Sequence, residues 1–170
     1  GMEPAIKPAA LTSKSGVVGV LATANTFKGS LYNNTLEKFA SDVNVIEQVG
    51  DGLVEFVESG LIEGPEVEKL LSKYIKPMVD EGADAIVLGC THYPFLESSI
   101  KKIAGEGVAV INPAPAIALQ TKRVMDGMDS IKPSSSRAIF YSTGDTFIMR
   151  SMVLKMIPSL PQEAFISQTI

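Results

Sequence analysis

The stretch AIVLGCTHYPFL, residues 85–96, decides the fold. Ile86, Val87 and Leu88 form a short apolar run bounded by polar or glycine-containing sequence, the pattern of a strand buried on both faces of a parallel sheet. The run breaks at Gly89, and Pro94 suits the first turn of a helix, where its missing N–H would have no partner. Cys90, Thr91 and His92 therefore fall where the carboxyl end of a strand meets a helix, the edge at which open α/β sheets bind ligands. The same stretch holds the only cysteine and the only histidine of the 170 residues.

Working outward, the chain alternates strands with helices. Pro4 and Pro8 predict an extended, irregular lead. VVGVLAT, from Val17, predicts a buried strand that runs into the polar turn Thr23, Asn25 and Thr26. Phe27, Leu31, Thr35 and Phe39, four apart, predict a helical stripe. Val43, Val45, Ile46 and Val49 predict a second strand, and LVEFVESGLI a short helix stopped near Gly60. Pro65 opens an amphipathic helix carrying Val67, Leu70, Leu71, Tyr74, Ile75, Met78 and Val79, with Gly82 as its stop.

After residues 85–96, FLESSIKKIAGEG predicts a short helix and Val108 to Ile111 a strand ending at Asn112. PAPAIALQTKRVMDGM predicts a helix with Ile117, Leu119, Val124 and Met125 inward. Ser130 to Arg137 read as a linker or exposed loop. AIFYST predicts a strand, FIMRSMVLKMI an apolar helix, and a tail with two prolines completes the chain. This order implies an α/β fold with a mainly parallel sheet flanked by helices.

Composition narrows the function classes. A net charge of −4, with no dense Lys/Arg stripe, argues against nucleic acid as a partner. No apolar run approaches the roughly 18 to 20 residues that span a bilayer, and the start lacks a signal-peptide core, so a cytoplasmic location away from membranes is expected. One cysteine allows neither an internal disulfide nor a multi-thiolate zinc site, and no metal is expected.

Three strand ends carry reactive or hydrogen-bonding groups: Thr23 and Thr26; Cys90, Thr91 and His92; and Asn112. If those strands are parallel neighbours, the groups share one rim. A thiol at a helix start can have its pKa lowered by the helix N-terminus and a nearby imidazolium, which would make Cys90 an acid or base near neutral pH, with His92 relaying its proton. Plainer readings stand beside these. Cys90 can be a small buried hydrophobe, Thr23 and Thr26 can be helix caps, and Glu55 and Glu58 can be a solvated helix face.

GCTHYPFL, residues 89–96, resembles the second-cysteine motif of the glutamate racemases, within the aspartate/glutamate racemase superfamily. EPAIKPAA at 3–10, VGVLATANTFKGSLY at 18–32 and GLVEFVESG at 52–60 resemble further segments of that family in the same order, so that the likeness covers most of residues 3–125. The resemblance implies inversion of an amino acid's α-carbon without a cofactor, one thiolate removing the α-proton while a second thiol delivers one from the opposite face. By motif match Cys90 is one acid/base, His92 its helper and Glu58 the carboxylate that supports the histidine. Thr23, Thr26 and Thr91 would hydrogen-bond the substrate, glutamate.

The sequence also departs from the family. The DSG-type loop and the ACNT-type segment with the first cysteine are absent. The chain resembles the carboxy-terminal portion of a glutamate racemase, with residues 1–113 as the second-cysteine α/β domain. By the resemblance, residues 114–170 would normally return to an amino-terminal domain. They must therefore repack, associate with another chain as a homo-oligomer, or lie exposed. Other expectations kept open are a non-catalytic carboxylate-binding module and a superfamily racemase acting on aspartate or a hydantoin.

Overall fold

A computed structural model describes residues 5–128 and 138–168. Its centre is a four-stranded parallel sheet of β1 (Val17–Ala22), β2 (Asn44–Val49), β3 (Ala85–Leu88) and β4 (Ala109–Ile111), in the order β2-β1-β3-β4. The 85–96 stretch thus supplies a central strand, and its alternation explains the layers. Ile86 and Leu88 point with Leu21 into a core built with α4 (Leu53–Glu58), α5 (Pro65–Asp80) and α6 (Glu97–Ala104). Ala85 and Val87 point the other way with Val18, Val20 and Ala22, toward α1 (Ile6–Thr12) and α3 (Ser30–Phe39). Burial on both faces is why β3 reads as an unbroken apolar run. α5 presses so closely on the sheet that a Cβ at Gly19 would lie 2.7 Å from the Met78 sulfur.

Three sequence expectations are corrected. The lead is helical from Ile6 rather than extended: Pro8 sits in the first turn of α1, where no N–H is needed, and Ile6 and Ala9 bury against the sheet, while Pro4 lies outside the described residues. The stripe from Phe27 is not one helix. α2 (Ala24–Phe27) and α3 are separated at Lys28 and Gly29, and the buried residues of α3 are Tyr32 and Thr35, while Leu31 and Phe39 are exposed.

The third correction concerns α7 (Ala114–Asp126), which buries no residue, so that Ile117, Leu119, Val124 and Met125 are exposed rather than inward. Helical spacing creates an apolar face, but only a packed neighbour can bury it. The expected linker at Ser130 to Arg137 lies outside the described residues. Beyond it, β5 (Phe140–Ser142), α8 (Thr146–Met156) and β6 (Phe165–Ser167) form a parallel two-stranded unit, with Phe140 and Phe165 stacked at 5.2 Å. The sequence reading did not anticipate β6. No helix among the described residues is long and apolar enough to cross a membrane.

Candidate functional site

The adjacency of β1 and β3 brings two of the three strand ends together. The ladder pairs Leu21 with Leu88, and the Gly89 N–H donates to the Leu21 carbonyl at 2.8 Å. A Cβ at Gly89 would stand 2.8 Å from the Ala22 Cβ and 3.2 Å from the Leu21 oxygen, so a side chain there would push the strands apart. The Thr26 hydroxyl donates to the Gly89 carbonyl at 3.2 Å and lies 3.1 Å from the Thr23 hydroxyl, which locks the two turns together. Thr23, Thr26, Cys90 and Thr91 line one cavity of about 360 Å³. Thr23 occupies the N-cap position of α2 but makes no capping hydrogen bond, so its hydroxyl faces this shared rim instead.

Asn25 and Tyr32 line the same cavity and were not among the sequence candidates. The Asn25 signal was visible as part of the polar turn. Tyr32 offered no such signal, since its hydroxyl is directed by Glu47, which accepts from it at 2.8 Å. Asn112 is on the same sheet edge but is occupied elsewhere. Its amide donates to Glu97 at 2.6 Å, and its carbonyl oxygen accepts from the Ala114 N–H at the start of α7.

Cys90 is half-buried, with its Sγ 3.8 Å from His92 Nδ1. Burial pushes the thiol up, and hydrogen bonding from the backbone of His92 and Tyr93 offsets only part of this. The expected lowering at a helix start is thus corrected. The chain beyond Cys90 forms a single 3₁₀ turn, Tyr93–Leu96, and the cost of removing a thiolate from water outweighs it. On its other side, His92 Nε2 lies 3.3 Å from Glu58 Oε1. Cys90, His92 and Glu58 therefore form a chain of contacts. The carboxylate favours a proton on Nε2 and leaves Nδ1 facing the sulfur.

His92 and Glu58 also border a second cavity of about 410 Å³, walled by Phe95 and by Ile148, Met149 and Met152 of α8. The site is therefore a hydroxyl-lined cleft with a thiol at its edge and a histidine–carboxylate pair behind it. It can bind a small carboxylate through neutral donors and move a proton at the sulfur. Among the described residues no cluster of three or more His, Cys, Asp or Glu is placed to hold a metal ion.

The sequence profile of Asp/Glu/Hydantoin racemases matches residues 1–121. The chain is 41% identical over 154 residues to a glutamate racemase of Ectopseudomonas mendocina, covering 90% of the chain and 59% of the relative. It is 43% identical over 137 residues to that of Herpetosiphon aurantiacus, covering 81% and 54%. In structure it is similar to Escherichia coli glutamate racemase crystallised with L-glutamate and the activator UDP-MurNAc-Ala, with TM-score 0.80 and 27% identity over 99% of this chain and 64% of that one. The chain thus spans well under two thirds of the length of these two sequence relatives.

Proposed function

The chain belongs to the Asp/Glu/hydantoin racemase family, and on that premise we propose that it supplies one of the two thiols of a cofactor-independent glutamate racemase. The observation that carries this reading is Cys90 lining a cleft together with the neutral hydroxyls of Thr23, Thr26 and Thr91. Such hydroxyls donate to the carboxylate and accept from the ammonium group of an amino acid while the sulfur faces its α-carbon. The α-proton is weakly acidic, so the site must stabilise developing carbanion charge and exclude water. With its pKa raised, Cys90 rests as a protonated thiol and delivers a proton. To remove one, it passes its own proton to His92 Nδ1, and Glu58 stabilises the imidazolium. The product is D-glutamate for peptidoglycan. Residues 114–170 would complete a second domain, a reading supported by the bare apolar face of α7.

One thiol cannot serve both faces of the substrate, so the 170 residues by themselves are expected to invert neither enantiomer. The test is α-proton exchange and inversion of D- and L-glutamate in deuterated water. Inversion at a rate near that of a full-length racemase, lost in Cys90→Ser, would overturn it. Calorimetry with both enantiomers and with aspartate separates the remaining readings. Binding of glutamate without turnover supports a retained carboxylate pocket, and preference for aspartate redirects the substrate assignment.

A further inference from the structure

The turn beyond Cys90 grips α4 at both ends. At the far end, His92 meets Glu58, the last residue of α4. At the near end, the hydroxyl of Tyr93, a fully buried side chain, donates to the Gly50 carbonyl at 3.1 Å, and the Leu53 N–H that opens α4 points to the same carbonyl at 3.3 Å. The Tyr93 N–H in turn donates to the Cys90 carbonyl at 3.2 Å. The contacts close a ring from Cys90 through Tyr93, Gly50, α4, Glu58 and His92 back to the Cys90 sulfur.

Gly50 is shaped for this contact. A Cβ there would lie 2.6 Å from the Tyr93 hydroxyl oxygen and 2.8 Å from Leu53 Cδ1. No side chain caps α4, and Gly52 before it adopts φ +82°, so the hold on the Gly50 carbonyl fixes where this six-residue helix begins. Burial, followed by the charge of an ionised Cys90, pushes the Tyr93 hydroxyl well above its ordinary value, which keeps it a donor.

We propose that Tyr93 is a positioning residue: through the Gly50 carbonyl it sets the start of α4, and so the reach of Glu58 to His92 and the proton exchange between His92 and Cys90. This rests on the Cys90–His92–Glu58 relay proposed above. The chain's single cysteine and single histidine make it measurable without turnover, by the rate of Cys90 alkylation by iodoacetamide as a function of pH. Glu58 favours the thiolate–imidazolium pair, so Glu58→Gln is expected to slow alkylation near pH 7.5 about threefold, a change typical of a coupled pair.

Tyr93→Phe deletes one oxygen and keeps the ring that fills the core. It should slow alkylation about twofold, and the double variant should be no slower than Glu58→Gln alone, because residues acting through one contact are not additive. Gly50→Ala, which crowds the same hydroxyl while leaving Tyr93 itself in place, should reproduce Tyr93→Phe and stands in for it if that variant does not fold. If Glu58→Gln slows alkylation while both Tyr93→Phe and Gly50→Ala leave it unchanged, or add to it independently, the positioning role is wrong and the relay survives. If Glu58→Gln has no effect, the relay itself falls and the positioning role with it.

Discussion

The β2-β1-β3-β4 sheet and α7 both carry apolar residues at regular spacing, yet these end in opposite environments. Ile86 and Leu88 are fully buried, whereas Leu119 is 58% exposed and Val124 48%. The difference lies in neighbours: β3 is flanked by a strand on each side and covered by helices on each face, while α7 buries nothing. Apolar periodicity records that a face is meant to be covered and says nothing about what covers it. Stability should accordingly be concentrated in the first 113 residues.

The sharpest way to break this contrast is a pair of truncations measured by urea denaturation. Ile86→Ala should cost about 3 kcal/mol, since it empties space in a close-packed core. Val124→Ala should change stability by less than about 0.5 kcal/mol, as surface changes do. Comparable losses at the two positions would show that α7 is covered in solution.

A second experiment tests what pins the sheet region together. Asp84, at the entry to β3, accepts from the Ser13 hydroxyl at 2.6 Å and from the Lys14 and Ser15 N–H groups at 2.6 and 2.8 Å. Burial raises its pKa, but these hydrogen bonds outweigh that and lower it from 3.8 to about 2. A carboxyl depressed in the folded state contributes stability that is present above about pH 4 and lost as pH falls toward about 2. Asp84→Asn should therefore cost about 1 kcal/mol at neutral pH, after allowing for solvent screening, and flatten the acid limb of the stability curve. An unchanged acid limb would remove Asp84 from the account.

The smallest expected effect concerns the junction between the regions. Lys155 of α8 donates to the Gly60 carbonyl, just beyond α4, at 3.3 Å, and Met152 reaches the main core. Lys155→Ala should cost no more than about 0.5 kcal/mol, because the contact is exposed. Loss of a single cooperative melt would reveal that α8 depends on this contact.

Legibility in the sequence divides along the same line. Ile86 to Leu88 announced a two-sided strand because both faces of β3 are filled by this chain. The shared rim of Thr23, Thr26 and Cys90 emerged once β1 and β3 proved to be parallel neighbours. Pro8 misled because a proline in the first turn of a helix looks, in sequence, like one in a loop. The direction of the Cys90 shift was misread because burial depth is a tertiary quantity and a helix start is a local one. Glu58 was suggested by family resemblance alone, since 34 positions separate it from His92. Gly50 and Tyr93 carried no readable signal: a missing side chain has meaning only when the group occupying its space is known.

Gly89 adds a consequence for the cleft. Because β1 and β3 approach there with no side chain between them, the two strands keep the ordinary spacing of about 4.8 Å, and the turns that carry Thr26 and Cys90 start from that separation. Substitutions at Thr91 can retune what the rim attracts, whereas Thr26 also ties the two turns together through the Gly89 carbonyl. The main-chain footing of the cleft and the chemistry of its rim thus rest on different residues, the first on Gly89 and the second on the side chains around it.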